Sequence, residues 1–128
     1  MTAVLGTALI VDDEPGICWA LERMLNRLGY LTVTAQTGRE ACELAACHDL
    51  RFALVDAKLP DTEGCELAAR LTRIRPGLPV VLLSGYFNKD DDAVKQWVAS
   101  GLVCTFVGKP FSSEEIRDAM AEAELLPP

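Results

Sequence analysis

Five polar side chains in this sequence stand at the ends of short apolar runs. In chain order they are Asp12, Asp13, Asp56, Ser84 and Lys109. Each preceding run has the length and composition of a buried β-strand. Because the carboxyl ends of parallel strands meet at one edge of a sheet, we expect these side chains to converge on one site.

Three carboxylates in one cleft repel one another unless a positive charge compensates them. Mg²⁺ suits this role because it prefers oxygen ligands from a few carboxylates together with water. The spacing predicts Asp13 and Asp56 as direct ligands, with Asp12 acting through a water molecule. Lys109 offers a compact positive charge to a phosphoryl oxygen, and Ser84 offers a hydroxyl group.

A carboxylate in such a setting can act as a nucleophile toward phosphorus and form an aspartyl phosphate. Catalysis then requires mostly positioning and charge neutralisation. Taken singly, each residue has a plainer interpretation: Asp12 and Asp13 as acids at a helix start, and Asp56 as a turn residue before Pro60. Their joint placement at successive strand ends favours the phosphoryl site.

Alternating strands and helices are predicted to position these residues. The predicted strands are Ala8–Val11, Leu31–Ala35, Phe52–Val55, Val80–Leu83 and a fifth from about Val103 to Val107. Amphipathic segments with helical spacing follow each of them. Strands that are apolar on both faces need helices on both sides, which indicates a parallel α/β sheet.

The helix boundaries carry local signals as well. The first helix is predicted to begin near Pro15 and to stop at Gly29. Two capping boxes are predicted for the second and the last helix, formed by Thr37 with Glu40 and by Ser112 with Glu115. A loop with Pro60 and Gly64 leads to a third helix around Glu66 to Ile74, and a fourth helix opens in Asp90–Asp92 and ends at Gly101.

Composition excludes several classes of function. The 128 residues are 50% hydrophobic, which predicts one folded domain over residues 1–128. We expect a cytoplasmic protein, because the sequence shows no secretion signal and no apolar run of the roughly 20 residues that span a membrane. A net charge of -7 argues against nucleic acid as a direct partner.

The cysteines do not indicate a metal site or a disulfide framework. Five are present, none of them in a CxxC pair. We interpret them as buried small residues in a reducing compartment. Cys47 and His48 are adjacent, so their side chains diverge, and no other ligands are spaced to join them.

Together these motifs closely resemble the receiver family of two-component response regulators. The matching segments are Val11–Pro15, Asp56 with Pro60 and Gly64 behind it, Leu83–Tyr86 and Phe106–Phe111, and the resemblance covers essentially the whole chain. It implies a flavodoxin-like (βα)5 sandwich with a parallel five-stranded sheet of order 2-1-3-4-5.

The resemblance implies a role for each matching residue. Asp56 would be the phosphoacceptor. The Mg²⁺ site would comprise Asp13, Asp56, Asp12 through water, and the backbone carbonyl of Lys58. Ser84 and Lys109 would contact the phosphoryl group, and Phe106 would be the aromatic residue that changes rotamer on activation. The neighbours of the phosphoryl group would be Ala57, Gly85 and Tyr86.

The function that the resemblance implies is phosphorylation-dependent signalling. A histidine kinase or a phosphotransfer protein would supply the phosphoryl group, and the protein would catalyse only its own phosphorylation and dephosphorylation. The face formed by the fourth helix, fifth strand and fifth helix would then control an output domain or a partner, or form a homodimer. Residues 126–128 would start a linker to such an output domain, which could belong to a transcription regulator.

Some features depart from the family pattern. The interval from Ser84 to Lys109 is a few residues longer than usual, and Phe106 replaces the commoner tyrosine and lacks its hydroxyl group. As an alternative, Phe106 is a plain core aromatic residue. Lys58 and Tyr86 occupy positions that border the phosphoryl group in this family, and both are large enough to hinder an attacking water molecule. As an alternative, the Lys58 side chain is simply solvated.

Three other classes of protein remain as alternatives. The first is a pseudo-receiver that acts only as a protein-interaction module, against which the intact Asp56 and Lys109 argue. A flavodoxin would need a phosphate-binding loop rich in glycine and hydroxyl groups after the first strand, where this chain has Asp12-Asp13-Glu14. A phosphatase with its nucleophile in that position would leave Asp56 unexplained.

Overall fold

Five strands and five helices alternate along the chain. A computed structural model describes residues 4–123 and 125. The elements are β1 (Gly6–Val11), α1 (Pro15–Leu28), β2 (Tyr30–Ala35), α2 (Gly38–Cys47), β3 (Leu50–Asp56), α3 (Gly64–Ile74), β4 (Val80–Ser84), α4 (Asp92–Ala99), β5 (Thr105–Gly108) and α5 (Ser113–Glu122). The predicted alternation is confirmed, and the predicted linker at 126–128 lies outside the described residues.

The five strands form one sheet in the order β2-β1-β3-β4-β5. Every neighbouring pair is parallel. In the centre, Leu9 of β1 lies opposite Val33 of β2 and Ala53 of β3, and Val55 of β3 lies opposite Leu82 of β4. The predicted flavodoxin-like sheet of order 2-1-3-4-5 is confirmed, with β2 at one edge.

Two hydrophobic cores cover the two faces of the sheet. Successive side chains of a strand point to opposite faces, so Leu9 joins the core that contains Leu67 of α3. Its neighbour Ile10 joins the core that contains Leu21 of α1 and Ile116 of α5. This two-sided burial explains why the central strands read as continuous apolar runs.

Local capping signals set several helix ends as predicted. Gly29 ends α1 in the left-handed conformation, with φ of 104°. Ser112 and Glu115 form both bonds of a capping box at α5. At α2 only half of the predicted box forms. The Thr37 hydroxyl accepts from the Glu40 backbone N–H, but among the described residues the Glu40 side chain makes no hydrogen bond to the Thr37 backbone N–H.

Several boundaries differ from the sequence-based expectation: β1 and β3 each begin two residues earlier, at Gly6 and Leu50. Helix α3 begins at Gly64 rather than near Glu66, so Gly64 belongs to the helix and not to the loop. Strand β5 begins at Thr105 rather than near Val103, because the Val103 N–H donates to the Trp97 carbonyl of α4 instead of to a strand. Within the described residues, no helix is long and apolar enough to cross a bilayer.

Candidate functional site

The carboxyl edge of the sheet gathers the predicted polar residues. Asp12 directly follows β1, Asp56 ends β3, Ser84 ends β4, and Lys109 directly follows β5. Parallel strand pairing brings all four strand ends to the same edge of the sheet. The side chains of Asp56, Lys109 and Asp12 are in direct contact there, as the distances below show.

Asp12, Asp13 and Asp56 form a cluster that could hold a metal ion. One carboxylate oxygen from each residue lies within 4.8 Å of the others. Asp12 is fully buried and Asp56 is 7% exposed, whereas Asp13 is exposed. Hard oxygen donors in this number, with one side open to solvent, match what Mg²⁺ selects.

Lys109 is the cation that the structure places against this cluster. Its Nζ atom lies 2.6 Å from Asp12 Oδ2 and 3.4 Å from Asp56 Oδ1. Burial disfavours the charged ammonium, but the hydrogen bond to Asp12 and the two carboxylate charges outweigh burial and raise the pKa of Lys109. The lysine therefore stays positively charged.

One ammonium group does not compensate the whole cluster. Burial, followed by the charge of Asp12, raises the pKa of Asp56 to about 6, although Lys109 acts in the opposite direction. The Asp56 carboxylate is thus held in a site where its charge costs free energy. A cation bound beside it would relieve that cost, so the residues present fit a divalent metal ion.

The turn after β1 is fastened through Asp12. Asp12 Oδ1 accepts a hydrogen bond from the Glu14 backbone N–H at 2.9 Å. The Cys18 thiol donates to the Asp12 carbonyl oxygen, with Sγ and O 3.3 Å apart. Burial raises the pKa of the Cys18 thiol to about 11, so this group is a neutral donor.

Ser84 is buried at the end of β4, where its hydroxyl group organises the loop that follows. Its Oγ atom accepts hydrogen bonds from the backbone N–H groups of Tyr86 and Phe87, both at 2.9 Å. The Phe87 ring in turn packs edge to face on Trp97 of α4, with ring centroids 5.2 Å apart. The hydroxyl thus links the strand end to α4.

A cleft of about 570 Å³ lies above the carboxylate cluster. Its walls include Asp13, Asp56, Lys58, Gly85, Tyr86 and Lys109. The Lys58 ammonium lies 5.3 Å from the centre of the Tyr86 ring across the cleft, and Tyr86 is 79% exposed. Ala57, also predicted near the phosphoryl group, is buried, and its N–H donates to the Leu83 carbonyl.

Phe106 lies apart from the carboxylate cluster. It is half-buried in β5, opposite Leu82 of β4. It lines a second cleft, of about 820 Å³, bounded by α4 and α5, and Ser84 lines the same cleft. Gly85, Tyr86 and Lys109 line both clefts and therefore connect them.

Two residues near the site have structural roles that the sequence did not reveal. A Cβ atom on Gly64 would stand 2.4 Å from the Asp56 carbonyl oxygen, so only glycine lets α3 approach the end of β3 this closely. The Asp61 carboxylate accepts hydrogen bonds from the N–H groups of Gly38 and Arg39 at the start of α2. Nothing in the spacing of residues 38 and 61 signals this contact.

Comparison with known proteins defines the class that this fold and site belong to. The response regulator receiver domain matches residues 8–121 of the chain. The chain therefore belongs to the receiver family of two-component signalling, as the sequence motifs predicted. Receiver domains are signalling modules that interact with histidine kinases or phosphotransfer proteins.

Two curated relatives show the range of this family. The chain is 32% identical to sporulation initiation phosphotransferase F of Bacillus subtilis (strain 168), over 88% of both chains. It is 29% identical to the transcriptional regulatory protein GlrR of Escherichia coli (strain K12) over 90% of this chain. That match covers 25% of GlrR, so the chain spans a quarter of the length of this relative.

Two solved structures share the fold. A CheY-like response regulator receiver domain from Methanospirillum hungatei JF-1 gives a TM-score of 0.82 at 25% identity, over 95% of this chain and 94% of that one. A response regulator from Burkholderia pseudomallei gives 0.79 at 27% identity, over 94% of this chain and 70% of that one. The latter structure contains a phosphorylated aspartic acid, a calcium ion and citrate.

Proposed function

We propose that this receiver domain stores a signal as a phosphoryl group on Asp56, received from a histidine kinase or a phosphotransfer protein. The observation that carries the proposal is the position of the Asp56 carboxylate. It is buried at a strand end within reach of two further carboxylates and 3.4 Å from the Lys109 ammonium. The phosphorylated aspartic acid in the Burkholderia relative supports the same chemistry.

Mg²⁺ is the proposed cofactor, held by Asp13 and Asp56 directly, by Asp12 through water, and by the Lys58 backbone carbonyl. The hydrogen bonds that close the loop around Lys58 are made by Ala57, Leu59 and their partners. In the described part of the chain none of these bonds uses the Lys58 carbonyl. When bound, Mg²⁺ would supply positive charge to the carboxylates and to the phosphoryl oxygens.

The chain's own residues provide the rest of the transfer. An Asp56 oxygen would form the new bond to phosphorus while the bond from phosphorus to the donor's histidine nitrogen breaks and leaves its electron pair there. With a pKa of about 6, Asp56 is ionised at neutral pH and ready to attack. Lys109, which lies beside Asp12 and Asp56, would then neutralise a phosphoryl oxygen.

Transmission of the signal is proposed to begin at Ser84. Its hydroxyl, which now accepts from the Tyr86 and Phe87 N–H groups, would turn to donate to a phosphoryl oxygen, and Phe106 would move into the space released. This would change the face of α4, β5 and α5, through which we propose control of an output domain, a partner or a homodimer. We further propose that residues 1–128 form one receiver domain, with 126–128 starting a linker to an output domain.

Intact-mass measurement with a small acyl phosphate tests the chemistry. In the presence of Mg²⁺ we expect the mass of one phosphoryl group to be added to the wild-type chain. The Asp56→Asn variant should gain nothing, whereas Asp49→Asn, at an exposed position outside the cleft, should react normally. An equal yield in Asp56→Asn, or in excess chelator, would contradict the assignment. A wild-type chain that gains no mass would favour the protein-interaction module instead.

A further inference from the structure

The loop between β3 and α3 (residues 57–63) is closed by its own backbone. The Leu59 N–H donates to the Thr62 carbonyl at 3.1 Å, and the Gly64 N–H donates to the Ala57 carbonyl at 2.7 Å. These two bonds flank Lys58, which pairs with Glu63 in an isolated antiparallel bridge. The loop geometry therefore sets where the Lys58 carbonyl points.

The tip of this loop is fastened to the start of α2. Asp61 Oδ1 accepts from the Gly38 N–H at 2.8 Å, and Oδ2 accepts from the Arg39 N–H at 3.0 Å. The first backbone N–H groups of a helix have no partner within the helix, so they are strong donors for a carboxylate. These two bonds lower the pKa of Asp61.

The loop and the helix are also in close steric contact. A Cβ atom on Gly38 would stand 2.4 Å from Thr62 Cγ2, so any larger residue at this point of α2 would push Thr62 aside. On its other side, Thr62 is fixed by a hydrogen bond from Arg70 Nη2 of α3 to its Oγ1 atom at 2.8 Å. The loop tip thus lies between two helices with little room to shift.

Helix α2 has a second cap that does not involve the loop. The Thr37 hydroxyl accepts from the Glu40 N–H at 3.1 Å, as expected for an N-cap residue. The helix start is therefore capped twice, whereas Asp61 alone supplies side-chain hydrogen bonds from the loop to α2 among the described residues. Loss of the Asp61 contact should therefore affect the position of the loop more than the stability of the helix start.

We infer that Asp61 is a positioning residue for the proposed Mg²⁺ site. By fastening the loop to α2, it would keep Lys58, which lines the same cleft as Asp13 and Asp56, in a position from which its carbonyl can reach the metal. The inference rests on the proposed function, because it assumes that this carbonyl is a metal ligand. Groups that orient metal ligands without touching the metal typically change metal affinity by about 10- to 100-fold when they are removed.

Calorimetric titration with Mg²⁺ on the full chain tests the inference, with Asp61→Ala compared with Thr37→Ala. Both variants remove a cap from the same helix start, so both should lower the midpoint of unfolding in urea. Only Asp61→Ala releases the loop, and its Mg²⁺ dissociation constant should rise about tenfold. Thr37→Ala should bind Mg²⁺ as the wild type does.

Two further variants separate position from charge. Asp61→Asn keeps one acceptor oxygen for α2 and should lie between the wild type and Asp61→Ala. Glu63→Gln removes a carboxylate of the same loop, 3.4 Å from the Lys58 ammonium, without touching the contact with α2. Its Mg²⁺ affinity should change less than that of Asp61→Ala, although both variants delete one negative charge near the site.

The possible outcomes distinguish this inference from the function on which it rests. A wild-type chain that binds no Mg²⁺ would overturn both. A wild-type chain that binds Mg²⁺, with equal affinities for Asp61→Ala and Thr37→Ala, would overturn the inference alone. A loss in Glu63→Gln as large as that in Asp61→Ala would also overturn it, because charge would then explain the effect.

Discussion

The two loops that border the cleft, residues 57–63 and residues 85–91, are held in different ways. The first is closed by backbone hydrogen bonds, pressed against Gly38 and fastened to α2 through Asp61. The second begins with two hydrogen bonds to a single side chain, the Ser84 hydroxyl, and its Tyr86 ring is largely exposed.

Further along, the second loop bonds mainly to itself. The Asn88 N–H donates to Asp91 Oδ2, and the Asp91 N–H donates to the Asn88 carbonyl. It contacts α4 through the packing of Phe87 on Trp97 and through the Asp91 carbonyl, which accepts from the Lys95 N–H. Loops with few buried contacts open at lower free energy than the rest of a fold. The comparison indicates that the first loop is built to stay in place, whereas the second loop is released when the Ser84 hydroxyl turns to donate to a new acceptor.

The largest effect is expected when a glycine beside each of the two loops is replaced by alanine. In Gly64→Ala the new Cβ atom would stand 2.4 Å from the Asp56 carbonyl oxygen and 2.7 Å from the Ala57 Cα atom. Backbone atoms cannot rotate away, so we expect a loss of about 3 kcal/mol in the free energy of unfolding, together with weaker Mg²⁺ binding. Urea unfolding measures the first quantity and calorimetry the second.

Gly85→Ala is the matched change in the other loop. Its Cβ atom would lie 3.8 Å from the Lys109 Cβ atom, which is an ordinary contact distance. Gly16→Ala in α1, where a Cβ meets nothing within 4 Å, controls for the general effect of the substitution. If Gly64→Ala proved as stable as Gly85→Ala, the tightness assigned to the first loop would be wrong.

An effect of intermediate size is expected on the way in which the stability of the metal-free protein depends on pH. Burial and the charge of Asp12 raise the pKa of Asp56 to about 6, well above its value in an unfolded chain. Between about pH 4 and pH 6 the folded state therefore holds a proton that the unfolded state has lost. The stability that this proton contributes is fully present below pH 4 and is lost as the pH rises through 6.

Asp56→Asn should remove this pH dependence, and at pH 7 it should be about 2 kcal/mol more stable than the metal-free wild type. Adding Mg²⁺ should narrow the difference by stabilising the wild type more than the variant. Urea midpoints at pH 4, 5, 6 and 7 measure both effects. If the urea midpoints of the wild type and of Asp56→Asn changed with pH in parallel, the ionised Asp56 carboxylate would not be destabilised by its surroundings.

The same comparison shows which parts of the molecule the sequence could predict. The strand ends and their polar residues were predictable because strand periodicity and parallel pairing are local or generic rules. The strand order came from the family resemblance. The contact of Asp61 with Gly38 was not predictable, because it joins residues 23 apart that only the packing of α2 against the loop brings together.

The start of α3 at Gly64 was missed for a related reason. Glycine is a poor helix former, so sequence alone placed Gly64 in the loop. Its role depends on the closeness of Asp56 and Ala57, which is a property of the tertiary structure. The hydrogen-bond partners of the Ser84 hydroxyl group were also not predictable, since a serine at a strand end can form hydrogen bonds in several directions.

The smallest expected effect concerns the second loop and its single hydroxyl anchor. Ser84→Ala removes the acceptor of the Tyr86 and Phe87 N–H groups, and because this loop borders solvent we expect a loss of only about 1 kcal/mol. The functional consequence should be larger than the energetic one. Without the hydroxyl, a phosphoryl group on Asp56 has no side chain to draw inward.

Trp97 can report that movement, since it packs on Phe87 and is one of two tryptophans in the chain. In a Trp19→Phe background, beryllofluoride with Mg²⁺ as the phosphoryl mimic should change Trp97 emission and shift NMR signals along residues 84–115. Ser84→Ala should suppress these changes while it still permits some phosphorylation, because a modification shifts an equilibrium only through its differential affinity for the two states. An undiminished response in Ser84→Ala would mean that the loop moves without its hydroxyl anchor. Shifts confined to the carboxylate cluster in the wild type would mean that the second loop is as fixed as the first.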